Sequence, residues 1–271
     1  MNSQFNLRYP SNLTGRQWKH IEPHIPAAKP GGRPRTLCMR EVINAILYVL
    51  VGGIQWRMLP LDFPKWQSVY FHLWCRAGVW KRLHDTLRAL LRKHQGRHKH
   101  PTAAVLDSQS VKSTHVPGYR GYDAGKNVCG RKRHLLVDTL GLVLAVLITT
   151  ADVSDAQGAR WLLASLQAFC EKLRLVWVDG GYRGELVEWV TMNFTFRLVP
   201  VLRSDKTAGF QLLPRRGVVE RTFAWLGLHR RLTREYEEYM LTSENFIYIA
   251  MIRLMTRNFP NYNQNYFSNC F

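Results

Sequence analysis

The 271-residue chain reads as an α/β protein preceded by a small all-α segment. Three observations carry that reading. Beyond residue 100, β-rich runs alternate with helical stretches in the order strand, two-strand hairpin, helix, strand, helix, strand, helix. Before residue 95, apolar residues recur at helical spacing in short stretches broken by Pro and Gly. Between the two lies Gln-Gly-Arg-His-Lys-His at 95–100, polar and basic, which marks a boundary. The expected division is 1–96 helical with a basic Pro/Gly linker at 26–36, 97–256 α/β, and 257–271 a surface tail.

Each element has a local reason. Thr14 and Gln17 form a capping box that starts a first helix, which should stop before Pro23. Residues 40–51 present Val42, Ile43, Ile46, Leu47, Val49 and Leu50, and Gly52-Gly53 end that helix. Residues 66–76 and 79–93 complete the helical part. Three or four short helices with breaks suit a helix-turn-helix type of domain. The helix expected at 66–76 carries Ser68, His72 and Arg76 on one polar side, either a groove-reading face or a solvated one.

In the second part, Ala103–Leu106 is a short apolar strand ending in Asp107. Residues 133–138 and 142–149 flank the turn Asp-Thr-Leu-Gly, a hairpin in which Asp138 is a turn residue. Ser154 and Gln157 cap a helix expected to run to Leu173, with Asp152 and Asp155 around its start. Leu175–Val178 is a buried strand delivering Asp179. A helix at 184–192, a strand at 196–202 and a loop at 204–214 lead to the stretch 215–238. That stretch reads as one helix, with Val219, Phe223 and Leu226 as its buried stripe and Glu220 as a lone acid among arginines. At about 100° per residue, Arg231 falls close to the Glu220 line. A last helix covers 243–255.

The charge is the unusual bulk property: 38 Lys+Arg against 19 Asp+Glu give +19. Residues 1–100 carry 17 basic and 4 acidic side chains, so most of the excess is N-terminal. Such a balance points to a polyanionic partner, above all nucleic acid. A membrane is the weaker rival, since no apolar run approaches the roughly 20 residues of a spanning helix. The N-terminus lacks a signal-peptide core, and five scattered cysteines show no ligand spacing, as for reduced thiols in a cytosolic protein.

Asp107, Asp179 and Glu220 stand at special places in this order. Each alone has a plain reading, such as a turn cap for Asp179 before Gly-Gly. Together, on so basic a chain, they suit Mg²⁺, the usual partner of carboxylates that handle phosphate oxygens. Two ions held by three acids would activate a water or 3′-hydroxyl and stabilise the leaving oxygen.

These residues also carry a family resemblance. Ala-Ala-Lys-Pro-Gly-Gly-Arg-Pro-Arg-Thr at 27–36, Leu-Asp-Ser-Gln-Ser-Val-Lys at 106–112, Val-Asp-Gly-Gly-Tyr-Arg-Gly at 178–184 and Val-Val-Glu-Arg-Thr-Phe-Ala-Trp-Leu at 218–226 occur in one order. In these the chain resembles the DDE transposases of bacterial insertion sequences, of the insertion sequence 5 type, from about Leu13 to Glu238. The resemblance implies an RNase H-like fold with Asp107, Asp179 and Glu220 as catalytic metal ligands for Mg²⁺, with Mn²⁺ able to substitute. The acids are separated by 72 and 41 residues, which leaves no room for a large insertion domain. Of the Tyr, Arg, Glu and Lys pattern of the broader superfamily, Arg216 and Glu220 match. Leu213 holds the Tyr place and Gly227 the Lys place, so Arg230 or Arg231 is the expected phosphate contact. An aromatic often seen after the Arg is Gly217 here.

Further DNA contacts are expected from Lys132, Arg133 and His134 at the entrance of the second strand, the plain alternative being an exposed basic turn. Arg33 and Arg35 read as a minor-groove arm or a bare linker. His72 and Arg76 complete the set. The expected activity is binding of an element's terminal inverted repeats in double-stranded DNA, metal-dependent cleavage and strand transfer. A homodimer acting in the bacterial cytoplasm, associated with the nucleoid, is the expected form. The rivals are an inert DNA-binding regulator and a nuclease without strand transfer.

Overall fold

The computed structural model describes residues 8–28, 31, 34–69, 71–166, 172–201 and 217–259. The N-terminal helices are α1 (Gly15–Ile21), α2 (Met39–Gly52), α3 (Phe71–Arg76) and α4 (Val79–His94). The capping box of α1 is formed, with the Thr14 side chain accepting from the Gln17 amide and the Gln17 side chain accepting from the Thr14 amide. Before α3, Trp66–Ser68 is a separate 3₁₀ turn, so Ser68 does not share a helix with His72 and Arg76. Gly53 closes α2 in the left-handed region, at φ 71°.

The strands are β1 (Ala103–Lys112), β2 (Gly121–Asp123), β3 (Val128–Asp138) and β4 (Val143–Thr150), followed by α5 (Asp155–Ala164) and β5 (Leu175–Val178). Then come α6 (Glu185–Asn193), β6 (Arg197–Pro200), α7 (Gly217–Gly227) and α8 (Met240–Arg257). They form a mixed sheet: β3 lies between β4 and β1, β5 follows β1, and β6 forms an edge. β3 is antiparallel to both β1 and β4, whereas β5 and β6 run parallel to β1. The short β2 extends the sheet along the start of β3.

Alternation along the strands divides the interior into two layers. Ala104, Leu106 and Leu136 join α5 and α6 side chains such as Leu162 and Val190 on one face. Val105, Leu135 and Val137 join Val219, Phe223 and Leu226 of α7 and Phe246 and Ile249 of α8 on the other. That second core continues without a break into Val42, Ile46 and Leu50 of α2 and Leu83, Leu87 and Leu91 of α4. The polar break at 95–100 is present, but the hydrophobic core does not end there.

Three sequence expectations are corrected by hydrogen bonding. β1 continues five residues past Asp107, so this acid sits within the strand and not at its end. β3 begins at Val128, which puts the basic run 131–134 inside the strand. The helix expected at 215–238 ends at Gly227, and a 3₁₀ turn at Arg230–Leu232 replaces its second half. The loop at 204–214 and the tail from residue 260 lie outside the described residues.

Candidate active site

Asp107 and Asp179 are brought together by parallel pairing. Val105 pairs with Trp177 across β1 and β5, so Asp107 and Asp179, each two residues further on, stand at the same level. Both are half-buried. The Asp107 carboxylate accepts from the Ser108 amide at 2.7 Å. Asp179 follows the last residue of β5 and caps a 3₁₀ turn, its carboxylate accepting from the Gly181 amide at 2.8 Å. The turn-cap reading of Asp179 and its place beside Asp107 therefore hold together.

Glu220 lies in the first turn of α7, exposed, while Val219 (0% exposed), Phe223 (9%) and Leu226 (1%) fasten the same helix to the sheet. α7 packs on β1 and β3. Since Val105 shares that face of β1, Asp107 and the helix bearing Glu220 belong to one side of the sheet. Carboxylate oxygens are hard donors suited to Mg²⁺. Among the described residues, however, no three His, Cys, Asp or Glu side chains stand close enough to form a metal centre.

Tyr182 was not singled out from sequence and lies under the aspartates, 1% exposed. Burial pushes its phenol well above the usual range, and the charges of Asp107 and Asp155 add to the shift. The Gly-Gly-Tyr after Asp179 was legible as a turn; that its ring would be buried beside acids was not.

The basic residues divide sharply. Lys132, Arg133 and His134 are 5%, 2% and 0% exposed, because β3 has strands on both edges and helices on both faces. Lys132 Nζ donates to the Val153 carbonyl at 2.7 Å and pairs with Asp155 at 2.9 Å. Arg133 donates to the Leu232 carbonyl at 2.8 Å, with Glu235 at 3.9 Å. The His134 imidazole meets the Thr149 hydroxyl at 3.0 Å, and burial lowers its pKa to about 4. The expectation that these three grip DNA at the entrance of a strand is corrected: they are internal struts.

Arg231 is corrected for a similar reason. It has left the Glu220 helix, is 9% exposed, pairs with Glu237 at 2.6 Å and donates to the Ile54 carbonyl at 3.1 Å. Arg230, beside it, is exposed. The segment 231–238 thus holds two buried acids, Glu235 and Glu237, that were missed because so acidic a stretch reads as a solvated helix face. Arg131 completes this network, donating to the Glu238 carbonyl at 2.6 Å.

His72 and Arg76 are exposed on α3. Partial burial, then the nearby Arg76 charge, lowers the His72 pKa, which favours a neutral imidazole at pH 7. Arg35 is exposed and donates to the Pro26 carbonyl at 2.8 Å. Arg33 and Arg216 lie outside the described residues. Among the described residues, no helix is long and apolar enough to cross a membrane.

The model of the transposase DDE domain matches residues 98–255, which include all three acids. A second model, for transposases of the IS4/5 family, matches residues 13–84. A relative from Burkholderia cepacia, an uncharacterized 16.2 kDa protein of the insertion element IS402, is 34% identical over 106 residues, covering 35% of this chain and 69% of the relative. A mixed sheet carrying spaced acids, with family matches on both halves, has one reading: the chain belongs to the DDE transposases of the IS4/5 type.

Proposed function

We propose that the protein binds the terminal inverted repeats of its element and, with Mg²⁺ or Mn²⁺, cleaves phosphodiester bonds to free 3′-hydroxyls that then attack target DNA. The observation that carries this reading is the shared level of Asp107 and Asp179 on neighbouring parallel strands, with the Glu220 helix packed on the same sheet face. The strand order, three antiparallel strands followed by two parallel ones, supports an RNase H-like assignment.

In this reading Asp107, Asp179 and Glu220 would hold the metal, with the Glu220 helix closing toward the two aspartates as the ion and DNA bind. When bound, a divalent ion supplies charge neutralisation at phosphate oxygens and a more acidic attacking hydroxyl. The chain's own part is positioning. The Ser108 and Gly181 amides orient the two aspartates, and the buried side of α7 sets the approach of Glu220. The N-terminal helices form the helix-turn-helix-like DNA-binding region. Arg35, His72, Arg76 and Arg230 contact phosphate or base edges, and Arg33 and Arg216 join them on sequence grounds. Processing two element ends together requires two copies, hence a homodimer on DNA. A DNA substrate in a bacterial cell places the work in the cytoplasm, at the nucleoid.

The test is incubation of the full chain with a terminal-repeat duplex and Mg²⁺ or Mn²⁺, resolving nicked and joined products. Nicks and joints are the expected result. Nicks without joints would leave only the nuclease reading. Binding without any metal-dependent cleavage would leave only the regulator.

A further inference from the structure

Beside the acid face lies a cavity of about 410 Å³ that no residue discussed so far as a DNA contact explains, apart from the buried Arg133. Gln109, Lys112, Arg133, Phe223, Gly227 and Arg234 line it. We propose that it holds a backbone phosphate of the DNA strand lying in the active site, with Lys112 and Arg234 as its cationic contacts. The inference rests on the transposase reading and adds residues to it.

Position comes first. Gln109 lies two residues past Asp107, on the same face of β1 by strand alternation. That is about 7 Å along a strand, so the opening lies within reach of a nucleotide next to the one at the acids. Phe223 and Gly227 lie three and seven residues after Glu220 on α7, so the cavity lies further along the helix that carries Glu220. A strand with its reacting phosphate at the acids would pass this opening next.

Chemistry agrees with an anion. Lys112 and Arg234 are exposed, and among the described residues neither side chain makes a hydrogen bond or an ion pair. Both therefore keep their charge available at the rim, unlike Arg231 and Lys132. Arg133, 2% exposed, lines the cavity, and its Nε–H has no hydrogen-bond partner among the described residues. A buried donor left unmatched is unfavourable, and an anion or its bound water would relieve it. The space at Gly227 is open: a Cβ built there meets nothing within 4 Å.

The experiment measures DNA affinity by fluorescence anisotropy across a salt series, with the full chain and a terminal-repeat duplex. Each phosphate contact contributes about 0.9 to the slope of log affinity against log salt. Lys112→Ala with Arg234→Ala should flatten the slope by about 0.9 and lower affinity at 0.1 M salt roughly eightfold, since one phosphate contact is lost. Lys112→Arg should retain the contact. The control is Lys172→Ala with Arg197→Ala, two exposed charges elsewhere.

If the Lys112/Arg234 variant matches the control while the unaltered chain still binds and cuts DNA, the phosphate pocket is overturned and the transposase reading stands. If the unaltered chain neither binds nor cuts, both fall. Inorganic phosphate at constant ionic strength is a further arm. Displacement of duplex from the unaltered chain but not from the variant is the expected result, because phosphate and duplex compete for one pocket; equal displacement from both would overturn the pocket.

Discussion

The strand β3 and the segment after α7 are both rich in arginine, yet they use it in opposite ways. In β3, Arg131 and Arg133 are 2% exposed and tied to carbonyls and to Glu235. After α7, Arg230 and Arg234 face solvent, while Arg231, set between them, turns inward to Glu237. A charge of +19 thus counts two populations, one that ties layers together and one left for a partner. Position in the sheet and the direction of a turn decide which is which.

The comparison breaks most sharply where an internal strut is cut. Arg231→Ala leaves Glu237 buried beside Glu235 and should cost about 3–5 kcal/mol of stability, read as a lowered urea midpoint. A loss below 1 kcal/mol would put Arg231 back in the exposed group. Next come the acids. Asp107→Asn, Asp179→Asn or Glu220→Gln should each slow cleavage about a thousandfold, the rate equivalent of several kcal/mol of metal-dependent stabilisation. Circular dichroism should be unchanged, and near-normal cleavage in any of the three removes that residue from the site.

A smaller effect belongs to the exposed cations. Arg76→Ala and Arg230→Ala should each change stability by no more than about 0.5 kcal/mol and flatten the salt dependence of DNA affinity by about 0.9. An unchanged slope would return that residue to a solvated role.

The smallest effects are in pH. Burial depresses His134 to about 4, so its unfolded form takes a proton first, and stability is lost as pH falls from about 6.5 toward 4. Glu244 works in the other direction: burial raises it to about 7, so its contribution is present at acid pH and lost as pH rises through about 7. Urea midpoints from pH 4 to 8 should therefore show a shallower acid loss in His134→Gln and a steeper one in Glu244→Gln. Superimposable profiles would show that neither group titrates as its burial demands.

Much of the architecture could be read from local chemistry. The Thr14 box, the Ser154 cap, the hairpin around Asp138 and the strand at Leu175–Val178 all depend on neighbouring residues, and all are present. Val219, Phe223 and Leu226 are buried as their spacing requires. Long-range pairing was the illegible part. Nothing local shows that β3 starts at Val128, because Lys132 and Arg133 do not resemble strand interior until Asp155 and Glu235 are known to face them. Likewise, Gly227 and Arg230–Leu232 end the helix early because Arg231 has a distant partner in the Ile54 carbonyl. The level of Asp107 and Asp179 follows from the pairing of β1 with β5, which neither segment reveals alone.

The core that runs from α2 and α4 into α8 has a practical consequence for engineering. An N-terminal block exchanged between relatives would bring half of an interface whose other half stayed behind. A fragment starting at residue 97 would leave the buried apolar side of α8 open to water. Any change to the N-terminal half is therefore a matter of repainting the outer faces of its helices in place. That half cannot be unplugged like a cartridge.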